Sequence, residues 1–219
     1  VAINYLPAEE PDAREVVALI KAEGRKAVAI PGDIQDEAFC KRLVADAVRD
    51  LGGLDILVNN AAKQQSQDSI MDLTTEQFDS TFKTNVYAMF WITKAALPHL
   101  GPGAAIINTA SVQAYDPSPN LLDYAQTKSC IVSFTKSLSK QVAKQGIRVN
   151  AVAPGPFWTP LQPSGGQNPD ALPNFGSQTP MGRPGQPAEL NPLYVQLASQ
   201  ESSYATGQVH GQSGGSGNP

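Results

Sequence analysis

Histidine and cysteine are almost missing from this chain: His99 and His210 stand far apart, and Cys40 and Cys130 are the only thiols. Two cysteines make neither a disulfide framework nor a metal-ligand spacing, which fits a reducing compartment. Two distant histidines leave no zinc site and no Ser–His–Asp arrangement. No apolar run approaches the ~18 residues that a membrane helix needs. Like charges form no blocks, and 20 acidic against 16 basic residues, a net charge of −4, give no footprint for nucleic acid or an acidic membrane. Internal repeats are absent too. The expectation is a soluble, cytoplasmic protein with no metal, no nucleic-acid partner and no membrane segment.

What is present is an alternation. The chain opens on a strand, VAINY, with no leader ahead of it, as a fold entered part-way through would. Residues 10–23 place Val16, Val17, Leu19 and Ile20 at helical spacing, with Gly24 as a stop. A strand follows at 27–30, ending in Pro31-Gly32-Asp33. Asp36 is placed to cap a helix that runs to about Leu51. Further strands are expected at 56–58, 104–108 and 147–152, with helices at 75–98 and about 121–144 between them. A last helix at 188–199 and a short strand near 208–210 end the fold, before a tail, GQSGGSGNP, that is either flexible or packed at a subunit boundary.

Short apolar strands alternating with helices predict an α/β fold of the Rossmann type, a doubly wound parallel sheet with helices on both faces. Such sheets bind ligands beyond the carboxyl ends of their strands. Asp33, Asn59-Asn60, Ser111 and Pro154-Gly155 all follow expected strands, so the unusual polar residues share one edge. Between Pro154 and Pro192 lie ten of the 18 prolines. No periodicity survives from 157 to 183, which predicts a lid or binding loop over a single domain spanning 1–219. Phe157, Trp158, Phe175 and Met181 give that lid an apolar side.

The stretch 111–128, SVQAYDPSPNLLDYAQTK, carries the chemistry. Tyr124 and Lys128 are four apart and share a helix face. A phenol ordinarily ionises near ~10, and a neighbouring ammonium favours the phenolate. The pair predicts a device for moving a proton, with the Ser111 hydroxyl at the end of the preceding strand to hold a substrate oxygen.

These residues together resemble the classical short-chain dehydrogenase/reductase family. Asn59-Asn60-Ala61-Ala62 resembles its Asn-Asn-Ala-Gly, and Asn85, Ser111, Tyr124 and Lys128 follow the order and spacing of its tetrad. Pro154-Gly155 with Thr159 resembles its Pro-Gly-x-x-x-Thr segment, and Gly32-Asp33-Ile34 its adenine-side turn. QAYDPSPNLLDYAQTK and PGPFWTPLQPSGGQ are further similar to a microbial aldehyde reductase-like or glucose dehydrogenase-like subgroup.

The resemblance implies hydride transfer between NAD(P)(H) and a small carbonyl or alcohol substrate. It makes Tyr124 the acid or base, Ser111 the holder of the carbonyl oxygen and Lys128 the group that lowers the Tyr124 pKa. It also makes Asn85, where the family's helix is locally irregular, the anchor of a water that connects Lys128 to solvent. It implies cofactor contacts from Asn4, Tyr5, Leu6, Asp33, Ile34, Asn60, Ala61, Ala62, Pro154, Gly155, Phe157 and Thr159, besides Tyr124 and Lys128. The substrate would meet Ser111, Gln113, Tyr124 and Trp158, and the assembly would be a homotetramer or homodimer.

Two departures bear on function. No T-G-x-x-x-G-x-G turn occurs in the chain, and VAINY matches the family's second strand. The resemblance therefore implies an N-terminally incomplete domain with a groove in its sheet, either a fragment of a longer enzyme or a truncated, non-catalytic protein. After the first strand, Asn4-Tyr5-Leu6 offers no acid for a ribose 2′-hydroxyl and no Arg for a 2′-phosphate, which leans the cofactor to NADP over NAD. Epimerisation or dehydration with the same Tyr–Lys pair stays open as an alternative chemistry.

Overall fold

The computed structural model describes residues 1–216; the last three residues of the Gly-rich tail lie outside the described residues. In chain order the regular elements are β1 (Ala2–Tyr5), α1 (Glu10–Ala22), β2 (Val28–Pro31), α2 (Glu37–Leu51), β3 (Ile56–Asn59), α3 (Thr75–Phe82), α4 (Ala88–Ala96), β4 (Ala105–Thr109), α5 (Leu122–Val142), β5 (Arg148–Pro154), α6 (Leu161–Ser164), α7 (Pro187–Ala198) and β6 (Val209–Gln212). Local chemistry sets the boundaries. Asp36 starts α2 by accepting a hydrogen bond from the Ala38 amide, and Gly52 ends it at φ 86, a conformation that costs a residue with a Cβ.

All strand pairs are parallel, in two groups ordered β1-β2 and β3-β4-β5-β6. Successive side chains on a strand face opposite ways, and the packing follows. Ile106 of β4 and Val149 of β5 join Val44, Ala96, Leu138 and Val142 on one face. Ile107 and Val152 join Leu197 on the other, with Leu190, Leu193 and Tyr194 of α7 against them. Both faces are therefore covered, each fully buried aliphatic side chain contributing about 1.5–3 kcal/mol. This is the Rossmann-type arrangement expected from the alternation.

Among the described residues β1 and β3 share no ladder. The two strand groups are joined through a cluster of Ile30, Ile34, Cys40, Leu43 and Ala47 with Ala88, backed by Trp91 and Ile92 of α4. Ile56 and Val58, on one face of β3, are 46% and 44% exposed.

The 75–98 helix is interrupted at Lys83–Tyr87 by a wider five-residue π turn that carries Asn85, where the resemblance implies a local irregularity. Two features depart from the sequence expectation. The 157–183 segment is not structureless: it holds α6 and a 3₁₀ run, Pro169–Asn174, whose start Asn168 caps by accepting from the Asp170 amide. The tail is held rather than loose as far as it is described, since the Met181 amide donates to the Gly214 carbonyl. Among the described residues no helix is long and apolar enough to cross a membrane, and no group of three or more His, Cys, Asp or Glu is placed to hold a metal ion.

Candidate active site

The parallel ladders bring the carboxyl ends of the strands to one edge, with Asn59 opposite Asn108, Thr109 opposite Val152 and Pro154 opposite Gln212. Ser111 follows β4 in extended conformation, and its Oγ accepts from the Gln113 amide at 3.2 Å. Tyr124 and Lys128 lie in the first turns of α5, 7% and 1% exposed. Lys128 Nζ stands 5.2 Å from the centre of the Tyr124 ring and donates to the Thr109 carbonyl at 2.8 Å.

Burial dominates the electrostatics. It penalises whichever form is charged, so the Tyr124 phenol is pushed up to about 12, with the Ser111 hydroxyl pulling partly the other way. Burial also pushes the Lys128 ammonium down to about 7. Burial, and not the Lys128 charge, is thus the largest influence on Tyr124, which is raised where a lowering was expected. Spacing could not foretell this, because burial is a property of the packed fold.

Asn85 explains the π turn. Its Oδ1 accepts from the Lys63 amide at 2.7 Å, and its Nδ2 donates to the Lys63 carbonyl at 2.8 Å and the Thr127 hydroxyl at 2.9 Å. Thr127 in turn donates to the Tyr124 carbonyl. The wide turn presents one amide side chain to the loop after β3 and to the helix carrying Tyr124, a use that π turns often serve.

The other expected positions divide. Gly155 is pressed so close to the chain after β6 that a Cβ there would stand 2.7 Å from Ser213 Cα. The Phe157 ring lies against Gly185, where a Cβ would meet it at 2.5 Å. Trp158 packs on Phe175 at 6.0 Å and stays 41% exposed, and Thr159 is half-buried. Asn60 accepts from the Thr109 hydroxyl, and Ala61 is exposed beside the half-buried Ala62.

Asp33 accepts from the Gln35 amide, while the Ile34 side chain is in the core. Asn4 and Tyr5 are occupied structurally. Asn4 Nδ2 donates to the carbonyls of Ile30 and Gly32, and the Tyr5 hydroxyl donates to Glu10. Of that trio only Leu6 presents an exposed side chain. Gln113 is likewise engaged, its amide donating to the Ser118 hydroxyl and accepting from the Ser118 backbone.

Several participants carried no signal in the sequence. The Tyr194 hydroxyl of α7 is 2.7 Å from that of Thr109, beside the carbonyl that holds Lys128. Asp123, 1% exposed, accepts from the Thr81 hydroxyl and from the Tyr124 amide, tying α3 to the start of α5. Asn59 serves the frame, donating to Thr93 and to Asn108.

The residues fit the nicotinamide end of a dinucleotide. Lys128 has one hydrogen-bond acceptor among the described residues and three donors to give. The first turn after β1 carries Glu9, Glu10 and Asp12, a poor setting for a pyrophosphate. The chain's own residues thus support one end of such a cofactor and not its phosphates.

A family model described as enoyl-(acyl carrier protein) reductase matches residues 1–216. The chain is 60% identical over 215 residues to the uncharacterized oxidoreductase YghA of Escherichia coli, covering 98% of this chain and 73% of that protein. It is 44% identical over 221 residues to the chloroplastic NADPH-dependent aldehyde reductase 1 of Arabidopsis thaliana, covering 98% and 76%. A short chain dehydrogenase from Burkholderia cenocepacia, solved in complex with NADP, superposes with a TM-score of 0.90 at 33% identity over 98% of this chain and 86% of that one.

Proposed function

This chain belongs to the short-chain dehydrogenase/reductase family of NAD(P)-dependent oxidoreductases, and we propose that it interconverts a small aldehyde or ketone and its alcohol through Tyr124, Lys128, Ser111 and Asn85. The observation that carries the reading is the buried Tyr124–Lys128 pair beside Ser111 at the carboxyl edge of the sheet. The nicotinamide, when bound, supplies the hydride in reduction and takes it in oxidation.

The chain's residues handle the oxygen and the proton. Ser111 holds the carbonyl oxygen by donating its hydroxyl hydrogen. Tyr124, kept protonated by burial, gives its proton to that oxygen as the carbon is reduced. Lys128, with its depressed pKa, returns a proton to the phenolate. Asn85 fixes the loop after β3 against α5. Pro154, Gly155, Phe157 and Thr159 would line the nicotinamide side, and Asp33, the Ile34 backbone, Asn60, Ala61 and Ala62 the adenosine side. The 157–183 segment, with Trp158, would close over the substrate.

NADP is the favoured dinucleotide. The first carboxylates after β1 are engaged, Glu9 by the Leu6 amide and Glu10 by Tyr5 and Arg14, and a relative and a structural neighbour are named for NADPH and NADP. A homodimer or homotetramer belongs to the same reading, supported by the exposed Tyr87 at the end of the π turn and Phe90 in α4; a monomer by light scattering would refute it.

Tyr124→Phe tests the chemistry. It should lower NAD(P)H-dependent turnover of a small aldehyde by about 10²–10⁴-fold while the melting temperature holds. Undiminished turnover in that variant would end the proposal.

A further inference from the structure

Thr109 ends β4 and is engaged from two sides. Its carbonyl accepts from the Lys128 ammonium at 2.8 Å, and its hydroxyl lies 2.7 Å from the Tyr194 phenol of α7. Counting hydrogens gives the direction of that second bond. A threonine hydroxyl has one hydrogen to give, and Thr109 gives it to Asn60 Oδ1 at 3.1 Å, an atom that can only accept. Tyr194 is therefore the donor. The result is a polar bar, Tyr194 to Thr109 to Asn60, laid from α7 across the end of β4 to the loop after β3.

The bar is anchored at its α7 end, where the Tyr194 ring packs against Ile107, Val152 and Leu197. Its middle carries the charge. The Thr109 carbonyl is the one acceptor that Lys128 has among the described residues. Burial alone shifts Lys128, with no charged group of α3, the π turn, β4, β5 or α7 contributing. Two ionisable groups stand around it. Tyr124, on the same helix, has its ring centre 5.2 Å from Lys128 Nζ, and Tyr194 comes from α7, its field reaching Tyr124 as well. We propose that Tyr194 is a positioning residue for the proton transfer: by donating to Thr109 it fixes the end of β4, and with it the carbonyl that keeps the Lys128 ammonium beside Tyr124. The inference rests on the carbonyl–alcohol reading of the site and adds a residue to it.

Tyr194→Phe removes the one oxygen and leaves the packed ring. With NADPH and propanal as substrates of the full chain, it should lower kcat about tenfold. The KM for propanal should move less than about twofold, and the melting temperature should stay close to that of the wild type. Thr109→Val keeps the carbonyl and loses the hydroxyl. It should do the same, and the double variant should be no slower than the slower single one. An unchanged kcat in Tyr194→Phe, a loss carried by KM instead, or losses that multiply in the double variant would each overturn the proposal and leave the dehydrogenase reading standing.

A wild-type chain that turns over no carbonyl counts against the dehydrogenase reading, and a readout that needs no turnover then decides on Tyr194. The ¹³Cε resonance of Lys128, identified by its loss in Lys128→Met, should titrate at about 7 in the wild type. A hydrogen bond to the charged form favours that form. Loosening the acceptor in Tyr194→Phe should therefore lower the midpoint by about half a pH unit or more. An unmoved or raised midpoint overturns the proposal.

Discussion

Replacing Lys128 by Met should change how the stability of this chain depends on pH. Lys128 is 1% exposed, its pKa is pushed down to about 7 from the ordinary 10.5, and burial is the cause. The folded chain therefore releases this proton near pH 7, whereas the unfolded chain keeps it to about 10.5. Across that window the unfolded state binds more protons, so folding stability rises with pH. The full slope is about 1.4 kcal/mol per pH unit for one proton. From pH 7 to 9, with the folded group half-titrated at the start, the gain is about 2 kcal/mol.

Methionine fills a similar volume without a charge and removes that gain. Urea melts of both chains at pH 7, 8 and 9 supply the numbers, and the difference between the two stability curves isolates Lys128 from every other titrating group. The wild type should close on the variant, or overtake it, by about 2 kcal/mol over that range. Parallel curves would show that the ammonium is solvated or paired in the folded chain, and the argument from burial would fail. Above pH 10 the sign reverses for Tyr124. Its folded pKa is raised to about 12, so the stability it contributes below pH 10 is lost as pH climbs toward 12.

Other outcomes follow from the same geometry. Alcohol oxidation requires the Tyr124 phenolate, so its rate at saturating NADP should climb with pH, about tenfold per unit well below the pKa of Tyr124, while carbonyl reduction should not; a flat oxidation profile would remove Tyr124 as the base. Asn85→Ala would leave the Lys63 amide and carbonyl without the Asn85 side chain and take from the Thr127 hydroxyl the hydrogen bond that it accepts, and should cost about 2–4 kcal/mol in urea melts; a loss below about 0.5 kcal/mol would mean that water replaces the clamp. Gly165→Ala would drive a methyl into Gln64 and the Leu161 carbonyl, and should cost about 1–3 kcal/mol or detach the 157–183 segment, seen as a red shift of Trp158 fluorescence. An unaffected melt and spectrum would refute that contact.

The fold was legible where one physical signal governed each element. The apolar runs of β4 and β5 read as strands because both faces are buried, and Asp36 and Gly52 marked the ends of α2 by their cap chemistry. The candidate site was legible as positions, since strand ends and a four-residue spacing can be counted. Its wiring was not. Lys63 meets Asn85 through backbone atoms, which no side-chain pattern encodes. Tyr194 reaches Thr109 across 85 residues of sequence, and Asn4 and Tyr5 turned out to be spent on the frame around β1 and β2. The direction of the Tyr124 shift was misjudged because a neighbour four residues away is visible in a sequence and desolvation is not.

β1 and β2 share a single ladder, and among the described residues no other strand pairs with β1. Their hold on the remainder runs through α2 against α4. In deuterium labelling this makes two cooperative units of unequal resistance. The amides of β1 and β2 should label through a local opening, while those of β4 and β5, sealed between α4, α5 and α7, wait for global unfolding.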